Sequence, residues 1–392
     1  MNMLIGVDAT CWQNDRGYGR QGRGLLRALV RLDKGNRYVF FVDSKENLET
    51  VPAEGDVRMV SASAPTGVAA SANGYRSPRD LWRMGRAMSG REFDLLLFPT
   101  VYSYVPVLSR AKKVVIIHDV IAEHYAHLTL PSYRARLFWK AKVALGRWQA
   151  DAIATVSDFS RQAILKQFKI DPERISVVGE ASDPIFRRLD HPCLTPRLES
   201  MGIPDQGRSV VYVGGFAPHK NLEALVAVFA KLAGQKEFSD VRLVMVGKYE
   251  KEAFHSYFGT IRDQVASLGM ASRVIFTGYL PDEELVLLLN LSTVLVLPSL
   301  MEGFGLPAME AGACGCPVIA TSASPLPSLL GEAGIYIDPT EPEELETALI
   351  HILESESLRH RMREAGLRAA RMLTWDAAAR QMMALMQKVM GT

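Results

Sequence analysis

Short apolar runs recur along the chain, separated by longer stretches in which apolar residues return at helical spacing. The runs 95–99, 113–117 and 294–298 are apolar over nearly their whole length, which is typical of parallel strands buried on both faces. Strands that alternate with helices in this way predict α/β domains with parallel sheets. The strands predicted from the pattern are 4–9, 38–42, 95–99, 113–117, 151–156, 175–178, 210–213, 241–246, 274–277, 294–298 and 317–321.

These strands fall into two sets, separated by a segment without clear periodicity. The segment, about 179–204, contains four prolines, and such breaker residues are typical of a connection. A chain of 392 residues is long enough for two domains with complete cores. We therefore expect two domains, 1–183 and 184–374, each built on a parallel sheet.

One predicted helix, from Ser132 to Trp148, combines apolar and basic residues. Its apolar residues fall on one face at helical spacing. A basic helix with aromatic residues can lie on an anionic membrane, and a solvated surface helix accounts for the same composition. The predicted apolar face consists of Leu137, Phe138, Ala141, Ala144, Leu145 and Trp148, and the basic residues around it are Arg134, Arg136, Lys140, Lys142 and Arg147.

The charge is unevenly distributed, although the net charge is only +2. Residues 1–180 contain 26 Lys and Arg against 18 Asp and Glu, a net +8, whereas the remainder has 19 against 25, a net −6. A basic first half can attract an anionic membrane or substrate, and ordinary solvated charge accounts for the same count. No nucleic-acid partner is expected.

The composition also indicates the cellular location of the protein. No apolar run reaches the roughly 18 residues of a membrane-spanning helix, and the first eight residues predict a short strand rather than a signal peptide. Only Cys314 and Cys316 of the four cysteines form a close pair, which favours reduced thiols. We expect a cytoplasmic protein, either free or peripheral on the inner face of the membrane.

The stretch 299–312 carries the clearest candidate chemistry. It follows the apolar run 294–298 and continues through a Gly-rich loop into small residues that suit a tightly packed helix, with Pro307 in the first turn. A helix N-terminus presents free N–H groups and a partial positive charge, so it is a ready anion site. Glu302 and Glu310 bracket this site, where carboxylates are placed to accept hydrogen bonds from sugar hydroxyls rather than to contact phosphate.

The stretch from Glu302 to Glu310 resembles the E-x7-E motif of retaining glycosyltransferases of family 4. Seven residues separate the two glutamates, among them Gly303, Phe304, Gly305, Leu306 and Pro307. The resemblance implies the GT-B fold, two Rossmann-like domains facing across a cleft. It implies an acceptor-binding first domain, a donor-binding second domain, and a last helix, 375–392, that crosses back to the first domain. It also implies that Glu310 binds the ribose, that Glu302 binds the donor sugar, and that residues 303–306 bind the donor phosphate.

A second glycine-rich stretch follows the first predicted strand. Gly17, Gly19 and Gly22 form a literal G-x-G-x-x-G, with an acidic residue about 20 positions later, as in dinucleotide-binding proteins. In a Rossmann turn the first glycine directly follows the strand, but here residues 11–16 intervene. The segment instead resembles the GIGRY loop of family 4 enzymes, which implies that Gly19 approaches the donor phosphate closely, with the helix beginning near Leu25.

Four further residues are assigned roles by position and resemblance. His118 follows a buried strand, at the carboxyl edge where ligands gather in open α/β sheets, and the resemblance implies that it lies near the donor sugar. Lys220 follows the Gly214–Gly215 turn and matches a diphosphate-binding lysine. The arginine that usually accompanies it is absent, and His219 stands where some relatives carry arginine. Tyr279 lies in a segment, 278–280, that resembles the family segment near the nucleotide base.

These observations predict a retaining, metal-independent glycosyltransferase. It would move a hexose from a GDP- or UDP-sugar to a glycan, lipid-linked or small-molecule acceptor, without a cofactor. The chain contains His124, His127 and Glu123 close together, but neither H-E-x-x-H nor D-x-D, so no metal is expected. The alternatives are a GT-B-fold sugar-nucleotide epimerase, a nicotinamide-dependent dehydrogenase based on the Gly17 motif, and a non-catalytic nucleotide sensor.

Overall fold

The chain folds into two compact units in a computed structural model. Unit 1 comprises residues 1–181 and 374–392, and unit 2 comprises residues 182–373. The structure describes residues 2–12, 14, 17–44, 51–63, 66, 77–130, 132–203, 207–249 and 256–391. Most of the segment 61–76, for which the sequence left open an acceptor-binding role or a plain surface loop, lies outside these described residues.

Unit 1 is built on a parallel sheet of seven described strands. Their order is β3-β2-β1-β4-β5-β6-β7, so the chain reverses its direction of travel across the sheet between β1 and β4. The sequence missed β3, because this edge strand is exposed throughout and has no apolar run. The strands are β1 (Leu4–Asp8), β2 (Arg37–Val42), β3 (Asp56–Met59), β4 (Leu95–Phe98), β5 (Lys112–Ile116), β6 (Ala152–Thr155) and β7 (Ile175–Val177).

Helices cover both faces of this sheet, because alternate strand residues point to opposite sides. In β2, Tyr38 and Phe40 join one apolar cluster, whereas Val39 and Phe41 join the other. The helices of unit 1 are α1 (Gly17–Leu32), α2 (Pro78–Met88), α3 (Ile121–His124), α4 (Ala126–Thr129), α5 (Tyr133–Gln149), α6 (Asp158–Phe168) and, at the end of the chain, α15 (Trp375–Met390).

The crossing helix predicted by resemblance is confirmed in α15. Ala378, Met382 and Met386 of α15 share the buried cluster that contains Leu25 and Leu29 of α1. The two helices approach closely, since a Cβ added at Gly24 would meet the Trp375 ring at 2.3 Å. The core of unit 1 is therefore completed by a segment that follows all of unit 2 in sequence.

One expectation about a unit 1 helix is wrong. The helix expected to begin near Leu25 already begins at Gly17, so the G-x-G-x-x-G lies within the helix and not in a strand-to-helix turn. In α5, most of the predicted apolar face is exposed. The buried residues of that helix are Val143 and Gly146, and Leu137, Phe138 and Trp148 are exposed.

Unit 2 repeats the architecture with a parallel sheet of six described strands, in the order β10-β9-β8-β11-β12-β13. The strands are β8 (Ser209–Val213), β9 (Arg242–Val246), β10 (Val274–Gly278), β11 (Val294–Leu297), β12 (Val318–Thr321) and β13 (Gly334–Ile337), of which the sequence missed the last, an edge strand. The helices are α7 (Pro196–Ser200), α8 (Leu222–Ala233), α9 (Phe258–Ser267), α10 (Asp282–Leu291), α11 (Leu306–Cys314), α12 (Leu326–Leu330), α13 (Pro342–Glu354) and α14 (Glu356–Met372).

Both units are thus open parallel sheets with helices on their faces, the Rossmann-like architecture of the predicted GT-B fold. In such sheets, ligands bind beyond the carboxyl ends of the strands, where the strand order reverses. This point lies between β8 and β11 in unit 2, and between β1 and β4 in unit 1.

Candidate active site

The loops that follow β8 and β11 meet at the reversal point of unit 2. β8 pairs directly with β11 and leads to a short 3-10 turn, Pro218–Lys220, whereas β11 leads to the glycine-rich loop before α11. The Leu300 N–H donates to the His219 carbonyl at 2.9 Å, which ties the two loops together. The sequence therefore brings its lysine and its first glutamate to the same edge of the sheet.

Lys220 and Glu302 form a direct ion pair in this crevice. The Lys220 Nζ lies 2.7 Å from the Glu302 Oε1, and both side chains are largely buried. The Ser299 hydroxyl donates to the same oxygen at 2.6 Å. One carboxylate oxygen therefore accepts two hydrogen bonds from side chains, one of them from a cation. Such charge-assisted bonds fix the position of the carboxylate.

The charge of Glu302 is maintained despite its burial. Burial alone would raise the pKa of this carboxyl, but the Lys220 charge, the hydrogen bonds from Lys220 and Ser299, and the nearby His219 together lower the pKa below its usual value. Glu302 is therefore ionised at neutral pH. An ionised carboxylate only accepts hydrogen bonds, so its role at this position is to accept from hydroxyl or cationic groups.

Helix α11 begins beside this ion pair with a left-handed residue. Gly305 has a φ of 88°, and a Cβ there would meet the Leu326 side chain at 2.9 Å. Glycine is the residue that adopts this conformation without strain. Among the described residues, no side chain caps the helix, and Pro307 contributes no N–H to the first turn. Phe304 and Leu306 pack inward and hold the loop against the unit.

Asn221 and Ser299 are structural members of the site that the sequence analysis missed. Asn221 has a left-handed φ of 55°, and its side-chain amide donates to the Pro298 carbonyl at 3.2 Å and to the Pro339 carbonyl at 2.8 Å. One residue thus joins the segments that follow β8, β11 and β13. Asparagine is among the few residues that tolerate this backbone conformation, and its position directly after Lys220 was the available signal.

The other predicted donor residues are distributed around unit 2. Glu310 is buried in α11, one turn beyond the N-terminus of that helix. Burial raises the pKa of the nearby Cys314, and the charges of Cys316 and Glu310 add to this effect. Tyr279 follows β10 at the same carboxyl edge of the sheet and is half-exposed, with the Lys248 Nζ 5.0 Å from its ring centroid. His219 directly precedes Lys220 and contributes electrostatically to Glu302.

His118 lies at the carboxyl end of β5 in unit 1. It is buried, and both of its ring nitrogens have no hydrogen-bond partner among the residues that the structure describes. Its carbonyl accepts a hydrogen bond from the Thr155 hydroxyl at 3.3 Å. Burial lowers the pKa of His118 to about 4, so the imidazole is neutral at pH 7 and can both donate and accept.

Two acids with raised pKa values follow strand ends in unit 1, and one of them, Glu180, escaped the sequence analysis. Glu180 follows β7 at this edge, and burial, with a further contribution from Asp119, raises the pKa of its carboxyl well above the usual value. Burial likewise raises the pKa of Glu123 to about 7, while its carboxylate accepts a 2.8 Å hydrogen bond from the Trp139 indole. The position of Glu180 just beyond a strand end was the sequence signal that could have revealed it.

The tight contact at Gly19 is with the backbone of the same chain, at Asn14. A Cβ at Gly19 would lie 1.9 Å from the Asn14 carbonyl oxygen, so this position requires glycine for the folding of unit 1. The predicted approach to the donor phosphate remains a prediction. The dehydrogenase alternative loses its basis, because the Gly17 motif forms the first two turns of α1 and not a phosphate-binding turn.

Within the described ranges, no three His, Cys, Asp or Glu side chains are grouped so that they could hold a metal ion. No helix in the same ranges has both the length and the apolar character required to cross a bilayer.

Models of two protein families match the two parts of the chain. Residues 17–184 match a family described as Glycosyltransferase Family 4, and residues 197–369 match one described as Glycosyl transferases group 1. Together the matches extend over most of both units. The match to the second model includes Lys220, Glu302 and Glu310.

Characterised proteins resemble the chain in both sequence and fold. It is 30% identical to the O-antigen chain mannosyltransferase B of Escherichia coli, over 59% of each chain. It is 31% identical to the D-inositol 3-phosphate glycosyltransferase of Corynebacterium glutamicum, over 60% of this chain and 57% of that protein. The matches thus span less than two thirds of these relatives. Anabaena Alr3699/HepE, solved with UDP and glucose, superposes with a TM-score of 0.73 at 17% identity, over 99% of this chain and 100% of that one, which shows the shared fold.

Proposed function

Because the chain belongs to the group 1 glycosyltransferases, we propose that it is a retaining enzyme that moves a hexose from a nucleotide-diphosphate sugar without a metal ion. The donor would be a GDP- or UDP-sugar, and the acceptor a glycan, a lipid-linked sugar or a small molecule. The observation that carries the proposal is the Lys220–Glu302 pair beside the N-terminus of α11, at the point where the strand order of unit 2 reverses.

The arrangement suits the charge that develops during glycosyl transfer. The departing diphosphate gains negative charge, and fixed positive groups stabilise it without having to reorganise during the reaction. Lys220 and the α11 N-terminus would supply these groups in place of a metal ion. Because Lys220 already forms an ion pair with Glu302, a bound diphosphate would compete with Glu302 for the hydrogen bonds of the lysine. A sugar hydroxyl that donates to Glu302 would replace the hydrogen bond that this carboxylate loses.

The remaining residues take the roles that the family resemblance gives them. Glu310 would bind the ribose, Tyr279 would contact the base, and His219 would assist Lys220 at the diphosphate. His118, neutral and with unused donor and acceptor capacity among the described residues, would hydrogen-bond a sugar hydroxyl of the substrate. Retention would arise from attack by the acceptor on the same face of the sugar that the diphosphate leaves. The relative described as a mannosyltransferase and the neighbour solved with UDP support a nucleotide-sugar donor.

The test begins with donor binding in the presence of EDTA. We expect UDP or GDP, and one of their hexose conjugates, to raise the melting temperature, because a ligand that binds only the native state stabilises it. Glu310→Ala should weaken nucleotide binding about tenfold or more, since a hydrogen bond to a charged group contributes roughly 1.5–3 kcal/mol. Glu364→Ala, which removes an exposed carboxylate from the same unit, is the matched control and should leave binding unchanged.

Transfer is then measured with the donor that binds and a panel of acceptors, with the anomeric configuration of the product assigned by NMR. Formation of a new glycoside with retained configuration supports the proposal and separates it from epimerase activity, which forms no glycoside. Three results would refute it: no binding of any nucleotide sugar, an inverted product, or activity that EDTA abolishes and Mn²⁺ restores.

A further inference from the structure

One face of α5 presents large apolar side chains to solvent. Tyr133 is 79% exposed, Leu137 57%, Phe138 51% and Trp148 77%, whereas most apolar residues of comparable size in unit 1 are buried. Residues 133, 137, 141, 144 and 148 are three or four positions apart, so they follow one another along the helix. We call Tyr133, Leu137, Phe138, Ala141, Ala144 and Trp148 the exposed stripe of α5. Its exposure is not explained by packing within unit 1.

The opposite side of α5 is firmly attached to unit 1. Val143 and Gly146 are buried, and the Trp139 indole donates to Glu123. The Lys142 Nζ donates to the Tyr102 carbonyl at 2.9 Å, and the Arg136 Nε donates to the Leu130 carbonyl at 3.1 Å. The exposed stripe therefore belongs to a helix whose orientation is fixed, and its apolar residues cannot turn inward without breaking these contacts.

The charge around the stripe has a single sign. Helix α5 contains five basic residues and no acidic residue. Two of them, Arg134 and Lys140, are exposed beside the stripe, and a third, Lys142, lies 5.1 Å from the centroid of the Phe138 ring. A helix that exposes aromatic and aliphatic residues next to cations has the composition of a membrane-surface helix.

A basic groove lies at the C-terminal end of the stripe, between α5 and the end of α6. Its volume is about 290 Å³, Trp148 forms part of its wall, and Phe168 contributes apolar surface. Arg147, Lys169 and Arg174 line the groove together with a single acid, Asp171. The Arg147 guanidinium lies 4.2 Å from the Phe168 ring centroid, and its one hydrogen bond among the described residues is a long one, 3.5 Å, to the Phe168 carbonyl. Arg147 and Lys169 thus bring positive charge to the groove, and Arg174 adds to it although its Nη2 already donates to the Arg147 and Ala150 carbonyls.

We propose that the exposed stripe of α5 is a docking surface for an anionic lipid bilayer, with the basic groove receiving a lipid phosphate group. Tyrosine and tryptophan favour the interfacial region of a membrane, and basic residues near an anionic surface are attracted to its charge. The inference locates the membrane contact predicted from the basic first half of the chain and does not depend on which sugar is transferred. It rests on the proposed function only in that a lipid-linked acceptor would lie in the same membrane.

A second copy of the chain fits this surface less well. Two copies of α5 placed stripe to stripe would bring Arg134 and Lys140 of each copy together with no acidic residue on either helix, and like charges across an interface are strongly unfavourable. An anionic bilayer satisfies both features of the stripe at once, since it accepts apolar side chains at the interface and supplies negative charge around them.

The inference is tested by co-sedimentation with vesicles of phosphatidylcholine alone and of phosphatidylcholine containing phosphatidylglycerol. We expect the chain to bind the anionic vesicles and to bind the neutral ones much more weakly. Replacing both Arg134 and Lys140 by glutamine should weaken binding to anionic vesicles about thirtyfold, because each such cation contributes about 1 kcal/mol near the membrane surface. Lys34→Gln with Arg91→Gln removes two exposed cations elsewhere in unit 1 and should have a much smaller effect.

The apolar part is tested with Leu137→Ser combined with Phe138→Ser, which should also reduce vesicle binding. Met372→Ser, an exposed apolar residue in unit 2, is its control. Brominated lipids should quench the fluorescence of Trp148, and Trp148→Phe should remove that part of the quenching. Nucleotide binding and the melting temperature of each variant show that the fold is intact, and they separate a failure of this inference from a failure of the proposed activity.

Several outcomes would overturn the inference. Equal binding to neutral and anionic vesicles would show that charge does not contribute to membrane binding. If the stripe variants and their controls lost vesicle binding equally, the exposed stripe would not be the docking surface. Binding of inorganic phosphate by the chain without any binding to anionic vesicles would show that the groove is a site for free anions and not for a lipid headgroup. A concentration-dependent dimer that the Leu137→Ser, Phe138→Ser variant abolishes would assign the stripe to a second copy instead.

Discussion

Removing Lys220 should leave a buried negative charge without its main partner. In Lys220→Met the apolar part of the side chain is largely retained, but the 2.7 Å ion pair to Glu302 is lost. Among the interactions that lower the pKa of Glu302, the Lys220 charge is the largest, and without it the effect of burial dominates. The carboxylate would then remain in the interior with the Ser299 hydroxyl and a weaker influence from His219.

The expected destabilisation at pH 7 is about 3 kcal/mol. Removing one partner of a buried ion pair costs roughly 3–5 kcal/mol, and the lower end applies here because the Lys220 side chain keeps some contact with solvent. The destabilisation should depend on pH. In the wild type, the lowered pKa of Glu302 stabilises the fold above the unfolded pKa, and this contribution is lost as the pH falls through the folded pKa.

In the variant, burial raises the pKa of Glu302, so acidification protonates the carboxyl and removes the penalty. The difference in unfolding free energy between wild type and variant should therefore be largest at neutral pH and shrink as the pH approaches about 4.5, the ordinary value for a glutamate. Urea titrations at a series of pH values measure this difference.

Two further variants complete the experiment. Lys220→Met combined with Glu302→Gln should recover much of the lost stability, because no charge is left buried without a partner. Lys231→Met removes an ion pair of similar length, 2.6 Å to Glu346, but from an exposed lysine of the same unit, and should cost no more than about 1 kcal/mol. A loss for Lys220→Met that is below 1 kcal/mol, or that is the same at every pH, would refute this account of the site.

Two shorter predictions concern one glycine and one histidine. Gly305→Ala should destabilise the fold by about 1–2 kcal/mol in urea unfolding, because its φ of 88° disfavours any residue with a Cβ and that Cβ would also press on Leu326. The control is Gly259→Ala in α9, where an added Cβ meets no described atom, and it should not destabilise the fold. Equal effects of the two substitutions would contradict the backbone strain at Gly305. The contribution of His118 to stability should fall by roughly 3 kcal/mol as the pH drops from about 6.5 to about 4, because burial lowers its folded pKa and protonation then favours the unfolded chain. The difference between wild type and His118→Gln across this pH range measures the contribution, and an NMR titration midpoint near 6.5 would refute it.

The sequence was sufficient to predict the interior strands of both sheets. Runs such as 95–99 and 294–298 are apolar throughout because both faces of a central parallel strand are covered by helices. The edge strands β3 and β13 lack this signature. One face or edge of such a strand meets solvent, so Asp56 and Arg58 can occupy β3, and pattern alone does not distinguish it from a loop.

Helix boundaries and faces were less predictable. The glycines at 17, 19 and 22 disfavour a helix by propensity, yet α1 includes them. At Gly19 the Asn14 carbonyl leaves no room for a side chain, a contact that the sequence pattern does not reveal. Helical spacing placed the apolar residues of α5 on one face but left open whether that face meets water or a membrane. The pattern of one helix does not show which elements pack beside it, so the exposure of Leu137, Phe138 and Trp148 is known only from the structure.

The candidate site was predictable in its charged residues but not in their mutual contacts. Glu302 and Lys220 lie 82 positions apart, and only the pairing of β8 with β11 brings them to the same crevice. From sequence, Lys220 was predicted to bind a diphosphate and Glu302 a sugar, but their mutual neutralisation in an ion pair was not predicted. Ser299 and Asn221 act through short local hydrogen bonds, which composition and spacing do not reveal.

The return of α15 to unit 1 also determines the order in which the protein can mature on the ribosome. Translation of residues 182–392 takes roughly 10–40 s at ordinary elongation rates. During that time the first 181 residues are already synthesised, but the α1 surface around Leu25 and Leu29 lacks the helix that covers it. Unit 2, encoded without interruption, can fold first. The first unit to be translated is thus the last to be completed, and until then its apolar α1 surface is available to chaperones.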